Sequence, residues 1–279
     1  MKPFSGVITA LITPFIEGKV DFQSLEKLVK DQLKRGVQGF VINGTTAESP
    51  TLHDSERAEI FSYVKKLVPK KFPLIFGTGS NSTEKTIQNS KVAEKLGADA
   101  VLVVVPYYNK PPQAGLFQHF KLVADQINIP VILYNVPSRT VTSLELDTIK
   151  KLSEHPNIIG IKEASGNISF AKQIRETCGK EFLLLSGDDG TYDQFMAVGG
   201  DGVISVSSHI IPEVMLKTQA SQSLELINTL FIEASPIPVK MALRILGIIQ
   251  SAELRLPLLS MSSSGTERLL HEMKSKGLV

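Results

Sequence analysis

The clearest strand of this chain lies in the stretch Ile158-Ile159-Gly160-Ile161-Lys162-Glu163-Ala164-Ser165-Gly166. It opens with an apolar run rich in isoleucine that is too short for a helix, which predicts a buried parallel strand. Seven further runs of this kind recur at intervals of about 20 to 35 residues, the length of one βα unit. The eight predicted strands are residues 7–12, 39–43, 74–77, 100–105, 131–134, 158–162, 182–186 and 202–206.

The longer stretches between these runs are predicted to be helices. In the first of them, Leu25, Leu28, Val29 and Leu33 share one helical face. Polar capping residues and glycines mark the predicted ends of several helices. These residues are Asp21 with Gly36, Asn167 with Gly179, and two capping boxes formed by Asn81 with Glu84 and by Thr142 with Glu145.

Eight alternations of strand and helix without an internal linker favour a closed barrel over a doubly wound sheet. The predicted fold class is therefore α/β, a (β/α)8 TIM barrel with extra C-terminal helices. Residues 1–210 are predicted to form the barrel core. Residues 211–279 exceed what one helix needs, so we expect the last barrel helix and a C-terminal helical extension, broken by Pro236, Pro238 and Pro257.

The charge balance of the chain argues against several function classes. Its 279 residues include 30 Lys and Arg against 28 Asp and Glu, a net charge of +2. This balance, without a basic cluster, argues against a nucleic-acid partner or an anionic membrane surface. The aliphatic runs are too short to span a bilayer, and the first residues lack the features of a secretory signal. One cysteine, Cys178, cannot form an internal disulfide, so we expect a soluble cytoplasmic protein.

The reactive groups of a (β/α)8 barrel collect at the carboxyl ends of its strands, where Lys162 stands. A lysine that enters the barrel is costly unless it is paired or neutral. Because burial lowers the pKa of an amine, and the neutral amine attacks carbonyl carbons, Lys162 is a candidate Schiff-base lysine. The alternative is a lysine that reaches solvent or pairs with Glu163.

Tyr134 closes the fifth predicted strand and Arg139 lies in the loop after it, in Tyr134-Asn135-Val136-Pro137-Ser138-Arg139-Thr140. The Tyr134 phenol could relay a proton to the carbinolamine at Lys162, or the ring could simply pack at the rim. Arg139 carries a fork of donors that suits a substrate carboxylate, and no obvious partner acid lies in the adjacent loop. The alternative for Arg139 is a surface salt bridge.

Two further loops follow strands at the same end of the predicted barrel. In Gly44-Thr45-Thr46-Ala47-Glu48-Ser49, the backbone N–H groups of the turn could bind a carboxylate, although a plain βα loop is also compatible. The segment 106–112 has prolines on both sides and projects its aromatic residues, Tyr108 among them. One of these rings could pack at a subunit contact, and the alternative is packing at the rim.

Metal and nucleotide sites find little support in the sequence. Asp188 and Asp189 follow the seventh predicted strand, but no histidine lies near them, and the five histidines show no ligand spacing. Residues 77–82 lack the third glycine of a dinucleotide fingerprint. We therefore expect no metal and no organic cofactor.

Together these segments resemble the dihydrodipicolinate synthase / N-acetylneuraminate lyase family of Schiff-base (β/α)8 enzymes. The similarity runs nearly end to end, from residues 6–15 to residues 235–240. Residues 44–49 look like the GTTGES loop that binds the pyruvate carboxylate in this family, and residues 161–165 look like its Schiff-base strand end. The resemblance implies that pyruvate forms an imine with Lys162.

Two segments, 106–111 and 134–140, look like the synthase branch of that family in particular. The resemblance implies that Arg139 binds the carboxylate of aspartate semialdehyde. It also implies that Tyr108 crosses a dimer interface into the neighbouring site. The implied catalytic residues are Lys162, Tyr134, Thr46 and Tyr108, and the implied substrate-binding residues are Thr45, Thr46, Arg139, Gly187 and Ile204.

The resemblance implies a carbon–oxygen lyase that condenses pyruvate with L-aspartate 4-semialdehyde in lysine and diaminopimelate biosynthesis. The implied assembly is a cytoplasmic homotetramer, a dimer of dimers. One alternative is a sibling lyase that cleaves sialic acid or a 2-keto-3-deoxy sugar acid, and Arg139 argues against it. A second alternative is a non-catalytic barrel that serves as a sensor or assembly partner, and the intact set of site residues argues against that.

Several residues depart from the family pattern without removing a reacting group. The family usually has glycine at Ala47 and Val141, and asparagine at Ser235. Lysine-inhibited members carry histidines and a glutamate in an allosteric cleft. A cationic Arg57 or Lys85 would repel the ammonium groups of lysine, so we expect weak or absent lysine inhibition. The aligned cleft residues of this chain are Asp54, Arg57 and Lys85, with Asn81 and Tyr107 kept.

Overall fold

Eight parallel strands form a closed barrel in a computed structural model that describes residues 2–279. Strands adjacent in the barrel follow one another along the chain, and the last pairs with the first. This confirms the predicted (β/α)8 barrel, and each predicted strand agrees with the observed one to within two residues. The strands are β1 (Gly6–Ala10), the antiparallel hairpin strands β2 (Phe15–Ile16) and β3 (Lys19–Val20), and then β4 (Gly39–Ile42), β5 (Leu74–Gly77), β6 (Ala100–Val104), β7 (Val131–Asn135), β8 (Ile158–Glu163), β9 (Leu183–Ser186) and β10 (Gly202–Ser205).

The segments between the strands contain helices, several of which pack against one another around the barrel. None of the helices within residues 2–279 is long and apolar enough to cross a membrane. Single 3-10 turns occupy residues 45–47, 49–51, 207–209 and 220–223. The α-helices are α1 (Phe22–Lys34), α2 (Asp54–Leu67), α3 (Thr83–Leu96), α4 (Gln113–Asp125), α5 (Pro137–Thr140), α6 (Leu146–Ser153), α7 (Ile168–Cys178), α8 (Tyr192–Ala197), α9 (Pro212–Leu216), α10 (Leu224–Thr229), α11 (Ile237–Ile245) and α12 (Ser263–Ser275).

Two of the predicted pairs of helix ends are confirmed. Asp21 caps α1 and Asn167 caps α7, and each side chain accepts the backbone N–H three residues further on, at 3.0 Å. Gly36 follows the end of α1 with a φ of +84°, and Gly179 follows α7 with a φ of +76°. A positive φ suits glycine because it has no Cβ to collide with the backbone.

Both predicted capping boxes are wrong. The N-cap of α3 is Ser82 instead of Asn81, and its hydroxyl accepts the N–H three residues further on, at 3.3 Å. Serine and asparagine cap helices about equally well, so the sequence did not separate two adjacent candidates. The N-cap of α6 is Glu145 itself, and Thr142 belongs to the turn after α5, where its carbonyl accepts the Thr140 hydroxyl at 2.7 Å.

Of the three predicted helix breaks in the C-terminal region, the one at Pro238 is also wrong, whereas Pro236 lies between α10 and α11. Pro236 is the N-cap residue of α11, and Pro238 lies in its first turn. A first-turn residue needs no intrahelical N–H bond, so proline starts this helix instead of breaking it. Pro257 does lie outside the helices, between α11 and α12.

An apolar cluster fills the inside of the barrel, separate from the larger core between the barrel and the helices. Its side chains come from positions that alternate along the strands, as expected when every second residue points inward. The interior is therefore a packed core, and reactive side chains have room only at its ends. The cluster includes Ile8, Ala10, Val41, Ile75, Leu102, Ile132, Tyr134, Leu185 and Ile204.

Candidate active site

Lys162 lies near the carboxyl end of β8 and lines a cavity at the mouth of the barrel. Its side chain is 7% exposed, and its Nζ lies 4.2 Å from the centroid of the Tyr134 ring. Strands β7 and β8 hold these two residues side by side in register. Within residues 2–279, no carboxylate forms an ion pair with this amine. The site thus holds a buried amine that is not engaged in an ion pair with any described residue.

The neighbouring Glu163 is buried and is not the partner of Lys162. One of its carboxylate oxygens accepts the side-chain amide of Asn135 at 2.7 Å, and the other accepts the backbone N–H of Ser165 at 2.7 Å. Burial raises the pKa of the Glu163 carboxyl. The alternative that Lys162 pairs with Glu163 is therefore wrong, because consecutive strand residues point to opposite sides.

A 3-10 turn of residues 45–47, here called the threonine turn, follows β4 and lines the same cavity. Its later N–H groups are bonded within the turn, Ala47 to the Gly44 carbonyl at 3.2 Å and Glu48 to the Thr45 carbonyl at 3.0 Å. The first N–H groups of a helical turn lack such partners. Thr45 and Thr46 can therefore offer both N–H groups and hydroxyls to an anion, which forms a cradle for a carboxylate.

Arg139 lies in α5 at the rim of the cavity. Its guanidinium contacts the Ser235 carbonyl at 3.5 Å. Within residues 2–279, no acidic side chain lies within ion-pair distance of it, so the alternative of a surface salt bridge is wrong. An unpaired guanidinium at the rim of a cavity is suited to bind a carboxylate through two parallel hydrogen bonds.

Five of the residues predicted from the sequence meet in one cavity of about 400 Å³. Gly187 adjoins this group, because a Cβ at that position would lie 2.7 Å from Cε of Lys162 and force it to shift. Ile204 belongs to the apolar filling of the barrel, together with Tyr134. The five predicted residues that line this cavity are Thr45, Thr46, Tyr134, Arg139 and Lys162.

Three of the predicted site residues do not line this cavity, and of these Tyr108 is the exposed one, while Gly187 and Ile204 lie next to the group or beneath it. The Tyr108 side chain is 89% exposed, and its backbone has a φ of +76°. The adjacent Tyr107 lines the cavity in its place. Within a single chain, the Tyr108 hydroxyl therefore takes no part in the group of residues around Lys162.

The two consecutive aspartates after β9 are committed to the backbone of neighbouring loops. Asp189 accepts the N–H groups of Val206 and Ser207 at 3.0 and 2.7 Å, and Asp188 accepts the N–H of Thr191 at 3.1 Å. Within residues 2–279, no three His, Cys, Asp or Glu side chains form a group that could hold a metal ion.

The sequence interpretation missed a buried ion pair directly behind the threonine turn. Glu48 is 3% exposed and Lys240 is fully buried, and the two side chains pair with each other. The available indication was a lysine within the apolar sequence of α11, because a charged residue on a buried helix face requires a partner. Its partner stands 192 residues earlier in the chain, so the sequence alone did not identify it.

A second cavity of about 550 Å³ opens beside the first, between α2 and α3. Asp54, Arg57, Glu84 and Lys85 are among its lining residues. Arg57 is largely buried, stacks 5.6 Å from the centroid of the Phe76 ring, and has its pKa lowered by burial.

The fold and the site together define a class. The chain is a (β/α)8 barrel with an unpaired buried lysine, a phenol and a carboxylate cradle at its mouth, the arrangement that imine-forming enzymes use. A sequence model of the dihydrodipicolinate synthetase family matches residues 3–276, and the chain belongs to this family. The resemblance inferred from the sequence is thus confirmed.

Known relatives match the whole length of the chain. The 4-hydroxy-tetrahydrodipicolinate synthase of Bdellovibrio bacteriovorus is 54% identical, and the alignment covers 100% of both chains. The crystal structure of dihydrodipicolinate synthase from Thermotoga maritima has a TM-score of 0.96 at 40% identity and covers 100% of both chains. The chloride-inhibited enzyme of Acinetobacter baumannii, complexed with pyruvate, has a TM-score of 0.95 at 40% identity and covers 99% of both.

Proposed function

We propose that this protein is a lyase that condenses pyruvate with L-aspartate 4-semialdehyde, the reaction of 4-hydroxy-tetrahydrodipicolinate synthases in lysine and diaminopimelate biosynthesis. The observation that carries the proposal is the Lys162 amine, which is 7% exposed, has no anionic partner among residues 2–279, and lies beside the Tyr134 ring. The names of the full-length relatives agree with this activity, and one of them is complexed with pyruvate.

The first half of the proposed reaction forms an enamine on Lys162. The Lys162 amine attacks the ketone carbon of pyruvate, and loss of water gives an imine. The cradle of Thr45 and Thr46 holds the pyruvate carboxylate, and the Tyr134 phenol carries protons to and from the carbinolamine. Gly187 leaves room for the lysine stem, and Ile204 lies in the apolar floor beneath. The imine is the electron sink, so this step requires neither a metal nor an organic cofactor.

In the second half, the enamine carbon adds to the aldehyde of the semialdehyde. The Arg139 guanidinium, which has no acidic partner within residues 2–279, holds the carboxylate of this second substrate. The amine of that substrate then displaces Lys162 by transimination, which closes the ring and frees the enzyme. Each bond to Lys162 is therefore made and broken without a net redox change.

We also propose that the active form is a homotetramer, a dimer of dimers, in the cytoplasm. The 89% exposed Tyr108 supports this assembly, because its hydroxyl can complete a relay with Thr46 and Tyr134 only in the site of a neighbouring subunit. Within each subunit we propose residues 1–210 as the barrel core and 211–279 as the last barrel helix with a C-terminal extension. Light scattering of the wild type and of Tyr108→Phe measures the assembly, and a monomeric, fully active wild type would contradict it.

The central experiment is reduction with borohydride in the presence of pyruvate, followed by peptide mass spectrometry. We expect one reduced adduct, located on Lys162, and no adduct when pyruvate is left out. Lys240, a second buried lysine, serves as an internal control for non-specific labelling. An active protein without an adduct on Lys162 would refute the proposal.

The sibling lyase that cleaves sialic acid or a 2-keto-3-deoxy sugar acid remains the second candidate, since it would use the same lysine. Turnover with pyruvate plus each candidate aldehyde separates the two. In Arg139→Ala we expect a large rise in the KM for the semialdehyde, with the pyruvate adduct unchanged, because Arg139 lies at the rim and not beside Lys162. Equal loss of both would weaken the assignment of the second substrate.

A further inference from the structure

Glu48 is the residue at which the threonine turn ends, and its backbone is unusual. It joins the 3-10 turn of residues 45–47 to a second one at residues 49–51, and its own φ is +56°. Its N–H donates to the Thr45 carbonyl at 3.0 Å, and its carbonyl accepts the Thr51 N–H at 2.9 Å. A non-glycine residue adopts this left-handed conformation only when surrounding contacts stabilise it.

The side chain of Glu48 provides such contacts, because both of its carboxylate oxygens are bonded. One oxygen accepts the Lys240 ammonium, and the other accepts the backbone N–H of Arg255 at 3.0 Å. The side chains of Glu48 and Lys240 have no solvent exposure. Both donors belong to the part of the chain after the eighth barrel strand, so this region holds the threonine turn from behind.

Lys240 is itself fixed on every side. Besides Glu48, its ammonium donates to the Glu253 carbonyl at 2.8 Å and lies 4.2 Å from the centroid of the Phe15 ring. Burial lowers the pKa of the Lys240 amine to about 8, with the neighbouring Glu48 opposing that shift. These three contacts and its burial hold the Lys240 ammonium in one position, and the ammonium in turn holds the Glu48 carboxylate.

The Arg255 side chain also binds segments of the chain that lie before and after the threonine turn. Its guanidinium donates to the Thr51 carbonyl at 2.9 Å and to the Gly18 carbonyl at 2.8 Å, and it pairs with Glu56 at the start of α2. The segment after α11 thus holds both the loop that follows β4 and the β2–β3 hairpin.

We propose that the buried Glu48–Lys240 ion pair is a positioning device that sets the pyruvate-carboxylate cradle formed by Thr45 and Thr46. This inference rests on the proposed function, since it assigns the pair to the binding of pyruvate. A buried ion pair seldom increases stability over an apolar pair of similar size, so its use lies in holding one geometry. A displacement of the cradle of about 1 Å is enough to weaken binding and rate by about 10²-fold.

The first test is Lys240→Met, assayed by the pyruvate concentration that gives half-maximal borohydride adduct on Lys162. We expect this concentration to rise at least about tenfold, while saturating pyruvate still labels Lys162 fully. The matched control is Arg175→Met, which removes a largely buried cation paired with Asp201. We expect the control to lower the Tm comparably and to leave the half-saturating concentration unchanged.

The double variant Glu48→Gln/Lys240→Met separates positioning from simple stability. Removing both charges leaves no unpaired buried ion, so we expect the Tm to return toward the wild-type value. The half-saturating pyruvate concentration should stay raised, because the bond that holds the turn is still missing. Recovery of pyruvate binding together with the Tm would overturn the inference, and so would unchanged binding in Lys240→Met. Absence of any adduct in the wild type would instead overturn the proposed function.

Discussion

The two ends of the barrel differ in how many hydrogen bonds and ion pairs their key polar side chains make. At the end where strands begin, Asp201 accepts Lys2, Arg175 and the Leu184 N–H, all within 3.0 Å. At the end where strands finish, among the described residues 2–279, the Lys162 amine contacts an aromatic ring and no carboxylate, and Arg139 contacts one carbonyl at 3.5 Å. Largely buried polar groups normally have hydrogen-bond or ion-pair partners, as Asp201 does. Exceptions such as Lys162 are expected at functional sites.

The satisfied end also shows what structural polar residues look like in this protein. Arg175 donates to three backbone carbonyls, those of Gly199, Gly179 and Phe182, at 2.6 to 2.9 Å, in addition to its pair with Asp201. Nearly every donor of the guanidinium is thereby used to join loops that precede strands. Mutations at the end where strands begin should therefore change stability, and mutations at the end where strands finish should change activity.

The largest effect is expected at Lys162. In Lys162→Met the nucleophile is lost, so turnover should fall by at least about 10⁴-fold, as for other enzymes that lose a covalent nucleophile. The Tm should stay equal or rise, because a buried polar group without an ion-pair partner among residues 2–279 is replaced by an apolar side chain of similar length. Steady-state kinetics and thermal unfolding measure both quantities. A Tm loss of several degrees would mean that Lys162 is also structural.

The opposite result is expected for Asp201→Ala. This change leaves Lys2 and Arg175, both partly exposed, without their anion, which should lower the free energy of unfolding by about 2–3 kcal/mol, while kcat/KM below the Tm stays unchanged. Denaturant unfolding at fixed temperature provides the measurement. Asp99→Ala is a matched control at the same end, since its carboxylate accepts a single hydrogen bond within residues 2–279, from the Leu74 N–H, and a loss of about 1 kcal/mol is expected. A kcat/KM change in Asp201→Ala would contradict the separation of the two ends.

Those contrasting ends also explain which features the sequence could predict. Strands such as residues 74–77 and 158–162 were predictable because a buried parallel strand is a short run of consecutive apolar residues. The placement of Lys162 and Arg139 beside one cavity was predictable because Lys162 ends such a run, Arg139 lies in the loop after another, and the barrel brings the strand ends together. The features that a short stretch of sequence encodes are therefore the features that sequence reasoning recovered.

Contacts between distant parts of the chain were not predictable in the same way. Glu48 and Lys240 lie 192 residues apart, and the sequence around either residue does not indicate that the other is its partner. The close approach of Gly187 to Lys162 likewise depends on how β8 and β9 align in register. Helix starts failed for a smaller reason, since Ser82 and Asn81 are equally good caps and the tertiary structure chose between them.

A pH titration tests whether a buried residue at the end where strands finish also contributes to the stability of the fold. His209 is buried there, accepts the Ile12 N–H at 3.2 Å, and has its pKa lowered by burial to about 4. In the unfolded chain this histidine takes up a proton below about pH 6.5, whereas in the folded protein it stays neutral down to about pH 4. The free energy of unfolding is therefore unaffected by His209 above about pH 6.5 and decreases as the pH falls toward 4. We expect a loss of about 2–3 kcal/mol over this window from His209 alone.

Denaturant unfolding across the window measures that loss. His209→Gln should make the pH dependence shallower by about this amount while lowering stability at neutral pH. His119, whose pKa burial also lowers to about 4, lies in α4 and is the matched site. His119→Gln should reduce the pH dependence by a similar amount. If neither variant changes the slope, other groups control the acid sensitivity.

A smaller gain in stability is expected at Val141, which follows α5 at the open end. This β-branched residue is 71% exposed and has a φ of +64°, a conformation that costs about 1–2 kcal/mol outside glycine. Val141→Gly should raise the free energy of unfolding by about 0.5–1 kcal/mol after the entropy of the unfolded glycine is subtracted. Val92→Gly, an exposed position within α3, should instead destabilise by about 0.5–1 kcal/mol. Equal losses in both variants would show that Val141 is not strained.

The smallest expected effect is that of lysine. The cavity between α2 and α3 opens at the same end of the barrel and holds two cations, Arg57 and Lys85, with the acids Asp54 and Glu84. The four side chains sum to no net charge, whereas free lysine carries a net charge of +1, so the cavity has no net electrostatic attraction for it. Millimolar lysine should therefore change the initial rate by less than about twofold. Lys85→Glu gives the cavity a net negative charge and should create measurable lysine binding by calorimetry, and strong inhibition of the wild type would contradict this account of the cavity.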